Sequence, residues 1–510
     1  MIKIETFPVN HGEYPEQENL QIQTYGKRIT KDQTVYEYLL EFLLVFISEK
    51  NNKSGFKKVE DFSELVKGKC NTNIGLKRFI FLNSSKRENI AEIDREANKY
   101  LEMKLSEKMN FSGIKSEELI KIIRELYLGF TAFSGDRGWF AKSLLPMTRE
   151  VIFPEAMGKL ALRNSNCFED IDFSEGIPLE VDTKFEFSEH NFMARGGEVY
   201  FTHLAQGLSL ISYSSEIEGK KASNELDCRL NNLISSFPQF LELSSWIQNV
   251  WDEGFDEGDE GKRTSEIKCK WIPKEYERRS TYSVKELTNL LKSDINTFEK
   301  FELMSIGIVI QILRMMTEGA NIKSNNDNEL PWIVHISGTQ ENEKVKKIAV
   351  EGYKNIEERM VIAVSNYLEN IDEIKKKKSK KTINNNQLLK KGHEDSFKLL
   401  RKIGKDIGFV IPIKGSNMRF TLNDNIIKFL VISLIEPGKK VTLDTFLNKL
   451  YEHFRIIIGP NIRQDIGDRD VSCLQYNLDG FNILLRKNGF LKELSDSTSI
   501  VFNPYDEVII

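Results

Sequence analysis

The chain has 510 residues, with 72 Lys and Arg against 76 Asp and Glu, so its net charge is −4. That length leads us to expect two to four domains. A hydrophobic fraction of 40% supplies real cores, and the scarcity of Gly (31) and Pro (12) favours helices over an all-β fold. An acidic chain is not a general nucleic-acid binder, so any DNA contact has to come from a local basic surface.

Five cysteines, Cys70, Cys167, Cys228, Cys269 and Cys473, form no C-x-x-C pair. This argues against a disulfide framework or zinc ribbon and reads as free thiols in a reducing cytoplasm. Met1 to Glu5 shows no charged-then-apolar signal segment. The most apolar early run, Tyr38 to Ile47, is about half a membrane span and contains Glu41, so it reads as a buried helix. A cytoplasmic protein with no membrane partner is expected. Its abundant Lys, Asn and Ile resemble the composition of proteins from AT-rich bacterial genomes.

In chain order, residues 1–165 read as a helical N-terminal domain. Residues 1–30 are polar and irregular, with an edge-strand pattern over Leu20 to Tyr25. Helices are expected over Asp32 to Lys50, Val59 to Lys67, Glu88 to Met109 and Ser116 to Phe130, the last with Leu119, Ile120, Ile123 and Leu126 on one face.

Residues 166–340 read as a mixed, mostly helical middle domain with short strands. Ile177 to Phe187 alternates apolar and polar, a strand pattern, and Arg195-Gly196-Gly197-Glu198 breaks the chain. Helix follows over Ala222 to Trp251, then an acidic Gly-rich loop over 252–263, helix over Ser283 to Glu318, and a polar loop over Asn321 to Asn328. Residues 341–393 are a long helix and basic linker. A single apolar stripe from Val345 to Ile374 predicts one helix over Glu341 to Lys378, running into Lys375, Lys376, Lys377, Lys378, Lys380 and Lys381.

Residues 394–510 read as a winged helix-turn-helix. Asn423 to Ile435 has one apolar helical face and stops at Pro437-Gly438. Thr442 is placed to cap a second helix through Phe446, Leu447, Leu450 and Phe454. A third helix is expected from about Leu474 to Asn488, followed by two short apolar strands around a polar turn, the wing. In such a fold the third helix enters the major groove, while the wing and basic flanks meet phosphates. Leu474, Leu478, Phe481, Leu484 and Leu485 are expected inward; Asn477, Asn482, Arg486 and Lys487 outward. The candidate nucleic-acid contacts are the six linker lysines with Arg463, Arg469, Asn482, Arg486, Lys487 and Thr498. Against this, Asp465, Asp468, Asp470 and Asp479 crowd the same region, and a protein-docking module is the competing use of the fold. The linker lysines also suit a solvated helix end, where they complement the helix dipole.

Other motifs carry less chemistry. Asp170 with Asp182 and Lys184 gives an acid-x-Lys pattern, in which hard oxygen ligands would hold magnesium and the lysine would assist water, as in a divergent metal-dependent nuclease. Without the alternating helices of an α/β nuclease core it reads as a half-exposed strand. The Gly-containing segments Ser134 to Trp139 and Arg195 to Glu198 match no phosphate loop and read as sharp turns, or as points where another backbone approaches closely. The six histidines, His11, His190, His203, His335, His393 and His453, are dispersed and form no local catalytic signature.

The expectation is therefore a mainly α, multidomain protein: a helical body with a small β insertion and a C-terminal winged helix. Its expected role is a non-enzymatic, DNA-associated scaffold or adaptor subunit of a bacterial multi-protein DNA-processing system, such as anti-phage defence. It would need no cofactor and no metal, and its partners would be DNA and other protein subunits. The alternatives are the nuclease and a ligand-sensing winged-helix regulator, for which an apolar cavity with convergent polar groups would be the sign.

Overall fold

A computed structural model describes residues 5–8, 19–26, 29, 34–50, 54–56, 67–81, 92–109, 113–128, 130–132, 139–141, 147–152, 156–158, 185–187, 196–254, 264–269, 271–324, 329–336, 342–378, 384–460, 471–495 and 498–508. These residues are mainly helical with a few small strands. The helices are α1 (Leu20–Tyr25), α2 (Val35–Ile47), α3 (Ile74–Phe81), α4 (Glu92–Lys108), α5 (Ser116–Glu125), α6 (Gly196–Ser214), α7 (Glu216–Ile234), α8 (Pro238–Asp252), α9 (Ser280–Lys292), α10 (Thr297–Lys323), α11 (Glu343–Ser365), α12 (Leu368–Lys378), α13 (Asn385–Asp406), α14 (Asp424–Leu434), α15 (Leu443–Phe454) and α16 (Leu474–Lys487). The strands are β1 (Thr6–Phe7), β2 (Lys67–Asn71), β3 (Phe130–Ala132), β4 (Trp139–Ala141), β5 (Ala156–Gly158), β6 (Phe185–Phe187), β7 (Thr264–Lys268), β8 (Ile272–Pro273), β9 (Trp332–Ile333), β10 (Val410–Ile411), β11 (Arg419–Phe420), β12 (Lys440–Thr442), β13 (Ile456–Ile457), β14 (Leu491–Ser495) and β15 (Thr498–Phe502).

The body is organised around α10, which is apolar on nearly every side and buried along almost its whole length. A helix without a polar face has to be surrounded. Here α2, α6, α11, α13 and α14 supply the surround. It is long and apolar enough to cross a membrane, but that apolar window lies entirely inside the protein. Helix α2 is the buried helix expected from Tyr38 to Ile47. Its last carbonyls are met by the Lys50 ammonium, which donates to Val45 O at 2.6 Å and Ser48 O at 3.0 Å. Burial pushes that ammonium down to about 8. A second, smaller core joins α3, α4, α5 and α8 through Leu76, Phe79, Leu101, Leu105, Ile120 and Trp251.

Gly196 and Gly197 form the first turn of α6, where the sequence suggested a chain break. They serve close approach: a methyl group at Gly197 would sit 2.2 Å from Tyr38 O of α2. The Gly197 N–H also donates to the Glu41 carboxylate at 2.9 Å.

Several expected boundaries move. Leu20 to Tyr25 is a helix, not a strand. Asn19 caps it by accepting from the Ile22 N–H at 3.1 Å, and Gly26, at φ +82°, ends it. Its polar residues are buried with partners: Gln21 donates to Asp395 O at 3.0 Å and Thr24 to Leu20 O at 2.8 Å. The single helix expected to end at Lys378 is two, α11 and α12. The chain breaks at Asn366, whose side chain donates to Lys323 O at 2.8 Å, at the end of α10. Ser283 to Glu318 divides between α9 and α10, and Ala222 to Trp251 divides at Pro238, the first residue of α8. Of the helix expected over Val59 to Lys67 only Lys67 is described, and it begins β2, which pairs antiparallel with β7; the rest lies outside the described residues. Of Ile177 to Phe187, residues 185–187 form β6 beside β5; the rest lies outside the described residues. The expected division between residues 393 and 394 falls inside α13.

Candidate nucleic-acid interface

The C-terminal segment builds in the order α14, β12, α15, α16, β14, β15. Asn423 starts α14 by accepting from the Ile426 N–H at 2.8 Å. Gly438, at φ +68°, turns the chain after Pro437. Thr442 caps α15, accepting from the Thr445 N–H at 3.2 Å. Strand β15 pairs antiparallel with β12 on one side and β14 on the other, giving a three-stranded sheet in the order β12-β15-β14. Phe446 of α15 stacks against Phe481 of α16, with ring centres 6.4 Å apart and planes at 3°.

On α16, Leu474, Leu478, Phe481 and Leu485 are buried as expected, and Leu484 is half-buried. Asn477 is not outward: it is 4% exposed. It donates to Val334 O and Ile458 O, both at 2.8 Å, and accepts from the Ile336 N–H at 2.7 Å. One side chain thus ties α16 to the chain beyond β9 and β13, which pair in parallel through Trp332–Ile456 and Ile333–Ile457. Helical periodicity gave Asn477 to the polar face because it could not see that strand pair.

The outer face of α16 is Gln475, Tyr476, Asp479, Ile483, Arg486 and Lys487. Tyr476 and Ile483 are 53% and 49% exposed. Arg486 pairs with Glu493 of β14. Lys487 pairs with Asp424 at 3.4 Å, and Asn488 also donates to that carboxylate at 3.0 Å. The Asn488 hydrogen bond, with Lys487 beside it, holds Asp424 below the usual carboxylate value. Asn482 is half-buried, and its Oδ1 has no hydrogen-bond partner among the described residues. Thr498 is the first residue of β15, and Lys375, Lys376, Lys377 and Lys378 form the last turn of α12. Arg463, Arg469, Lys380 and Lys381 lie outside the described residues, as do Asp170, Asp182 and Lys184. Across residues 424–510 there are 10 Lys and Arg against 12 Asp and Glu.

The same segment is locked to the body by buried polar groups that no motif announced. Glu329 accepts from Arg279 at 2.8 and 3.1 Å and from Arg455 Nε at 2.6 Å. Arg279 also reaches Glu318 at 3.1 Å and donates to Glu452 O at 3.1 Å. Burial would raise the Glu329 carboxyl, but the hydrogen bonds and charges of Arg279 and Arg455 outweigh it and hold it below its usual value. Beside this, His453 of α15 meets Glu286 of α9 at 2.6 Å, and Gln311 donates to the same carboxylate. Arg314 continues inward to Gln311 at 2.7 Å, and to Ser283 and His203 at 3.2 Å each. Burial first, and the Arg314 charge second, hold His203 far below its usual value, so its ring is neutral. His203 is 0% exposed, and the cavity lined in part by Glu286 is about 10 Å³, room for about one water. This network clamps helices together and offers a substrate no entry.

A cleft of about 290 Å³ opens between the end of α2, β2, the 147–152 turn and α8. Its lining includes Glu49, Lys69, Asn71, Arg149, Glu150 and Gln248. Burial raises the Glu150 carboxyl. Both charge signs line it, unlike the apolar cavity that ligand sensing would need. Among the described residues no three His, Cys, Asp or Glu side chains group as a metal site requires. Compared with family models, curated protein sequences and solved structures, the chain has no significant match.

Proposed function

We propose that the chain is a non-enzymatic, DNA-associated scaffold or adaptor subunit of a multi-protein bacterial DNA-processing system, and that its C-terminal segment is a winged helix-turn-helix. The observation that supports this is the order α14, β12, α15, α16, β14, β15, with β12 pairing along β15. In such a module the third helix and the hairpin are the parts presented to a partner. Anti-phage defence is the setting we favour for this type of protein, and the products of adjacent genes test it.

Two features of α16 support protein docking over groove reading. Its terminal cations, Arg486 and Lys487, each have a carboxylate of the same module as partner. Its outer ridge carries Tyr476 and Ile483 two turns apart, and exposed aromatic and aliphatic side chains suit a protein partner better than phosphates. The test is duplex affinity of the full chain at several salt concentrations, for the parent and Arg486→Ala. A base-reading Arg486 would cost about 1–3 kcal/mol on removal; docking expects no change, and expects Tyr476→Glu to release the product of an adjacent gene from the purified complex. A parent chain with no salt-dependent DNA binding would overturn the DNA association itself.

A further inference from the structure

The geometry points to a nucleic-acid surface that is not α16: the outer face of α13 together with the loop between β10 and β11, binding the phosphate backbone of duplex DNA. The inference rests on the DNA-associated reading above and names the part of the chain that carries it.

The first support is charge segregation. Residues 375–414 hold 13 Lys and Arg against three acids, Glu394, Asp395 and Asp406. Subtracting these from the chain totals of 72 and 76 leaves 59 basic and 73 acidic residues in all the rest. One stretch is therefore strongly basic on an otherwise acidic molecule, and such a local potential attracts a polyanion against general repulsion.

The second support is placement. Helix α13 buries Leu388, Gly392, Ser396, Leu399, Leu400 and Ile403 against α11, α1 and α10. The packing is close at Gly392, where a methyl group would lie 2.9 Å from Leu20 and Val364 side chains. That buried stripe turns Lys391, Lys398, Lys402 and Lys405 onto the opposite face, at spacings of seven, four and three residues, with Lys390 alongside. At 1.5 Å per residue the stripe runs about 21 Å, roughly six base-pair steps of B-DNA. Some of its charge is matched: Lys398 pairs with Glu394 at 2.9 Å, and Arg401 is held by Glu357 of α11 with both contacts at 2.6 Å. Lys390 and Lys391 are exposed.

The third support is the neighbouring loop. Lys405 donates to Ile413 O at 3.0 Å, which seats the 412–418 loop at the end of α13. The loop has no carboxylate, and Lys414, Gly415, Ser416 and Asn417 are exposed beside Ile413, itself 74% exposed. At the other end, Asn385 donates to Asp372 of α12 at 3.1 Å, which brings the start of α13 within a turn of Lys375 to Lys378. The basic surface thus runs along the outer face of α13 to the loop.

Lys390→Gln, Lys391→Gln and Lys414→Gln are combined in one variant of the full chain, all at exposed positions, and folding is checked by urea denaturation. Binding to a random-sequence duplex of about 30 base pairs is measured across salt. The parent is expected to show a log–log salt slope of about −4 or steeper, the triple variant a slope shallower by about 3 and a dissociation constant at least about tenfold higher near 0.1 M salt. Arg486→Ala with Lys487→Ala is expected to keep the parent slope. If the parent binds and the triple variant keeps its slope, the surface is misplaced and the DNA association stands. If the parent does not bind duplex at all, both fail. Stronger binding to phosphatidylserine vesicles than to duplex, lost in the same variant, would assign the surface to membranes and overturn the proposal.

Discussion

Helices α16 and α13 both carry cations on an outer face, and they differ in where the opposing charge lies. On α16, Arg486 and Lys487 find Glu493 and Asp424 within their own module, and Asn477 turns inward to the backbone of the body. On α13 the lysines turn outward, and over residues 375–414 basic residues far outnumber the acids. Helix α16 is thus electrostatically closed, whereas α13 keeps an excess of basic charge although Lys398 and Arg401 are paired. Element order says which helix is presented; charge balance says to what.

The comparison breaks first if α16 is not held from inside. Asn477→Leu would leave Val334 O, Ile458 O and the Ile336 N–H buried without their partner. At about 1–3 kcal/mol for each orphaned group, a loss of about 3–5 kcal/mol of folding stability is expected in urea titrations. A neutral result would mean that α16 moves freely on the body. Next comes Glu329→Gln, which removes the charge joining Arg279 of the body to Arg455 of the module. Glutamine still accepts one hydrogen bond, so about 2–3 kcal/mol is expected, below the cost of deleting a buried ion-pair partner outright. If the loss is under about 0.5 kcal/mol, the lock is decorative.

Acid tests the same lock without mutation. His203 is held well below its ordinary value of 6.5, so the unfolded chain takes up a proton near that pH while the folded chain does not. Stability is present in full above about pH 6.5 and falls below it, by at most about 1.4 kcal/mol per pH unit from this group. Glu329, held below 4.5, contributes stability above that value which is lost as pH falls further, through its folded-state value. Urea midpoints at about pH 7.5, 6 and 5 measure the first loss. His203→Gln is expected to flatten it, and an unchanged slope in that variant would assign the titration elsewhere.

The sequence disclosed what depends on local chemistry. Asn423, Pro437-Gly438, Thr442 and the spacing of Phe446, Leu447, Leu450 and Phe454 placed α14 and α15 within a residue or two, because caps and stops act over one turn. Leu20 to Tyr25 failed on the same rule: a six-residue segment fits both periods, and Asn19 and Gly26 were the deciding signals. What depends on neighbours distant in sequence was hidden. Gly196-Gly197 announced a close approach without naming α2, and Asn477 looked polar, hence exposed, because its partners lie 141 and 143 residues earlier as well as 19 residues away. Of the candidate site, the linker lysines pointed to the basic stretch. Its continuation onto α13 requires knowing which stripe of that helix is buried.

The smallest expected effect sharpens the comparison most. Glu493→Gln removes the carboxylate opposite Arg486 while keeping the side chain's shape. The pair is solvent-exposed on both sides, 55% and 51%, so its stability contribution is at most about 0.5 kcal/mol. For DNA the two readings of α16 separate cleanly. If the module docks proteins, freeing Arg486 adds one positive charge outside the binding surface, and duplex affinity rises by no more than about twofold, with the slope unchanged. If α16 is a phosphate-binding helix held shut by its own hairpin, the freed guanidinium gains a phosphate and the salt slope steepens by about one. The first outcome is expected, since Asp479 stays on the same outward face and Lys487 stays matched by Asp424. A slope steeper by a full unit would show that α16 is a second DNA surface under the control of Glu493, and the contrast with α13 would become one of degree.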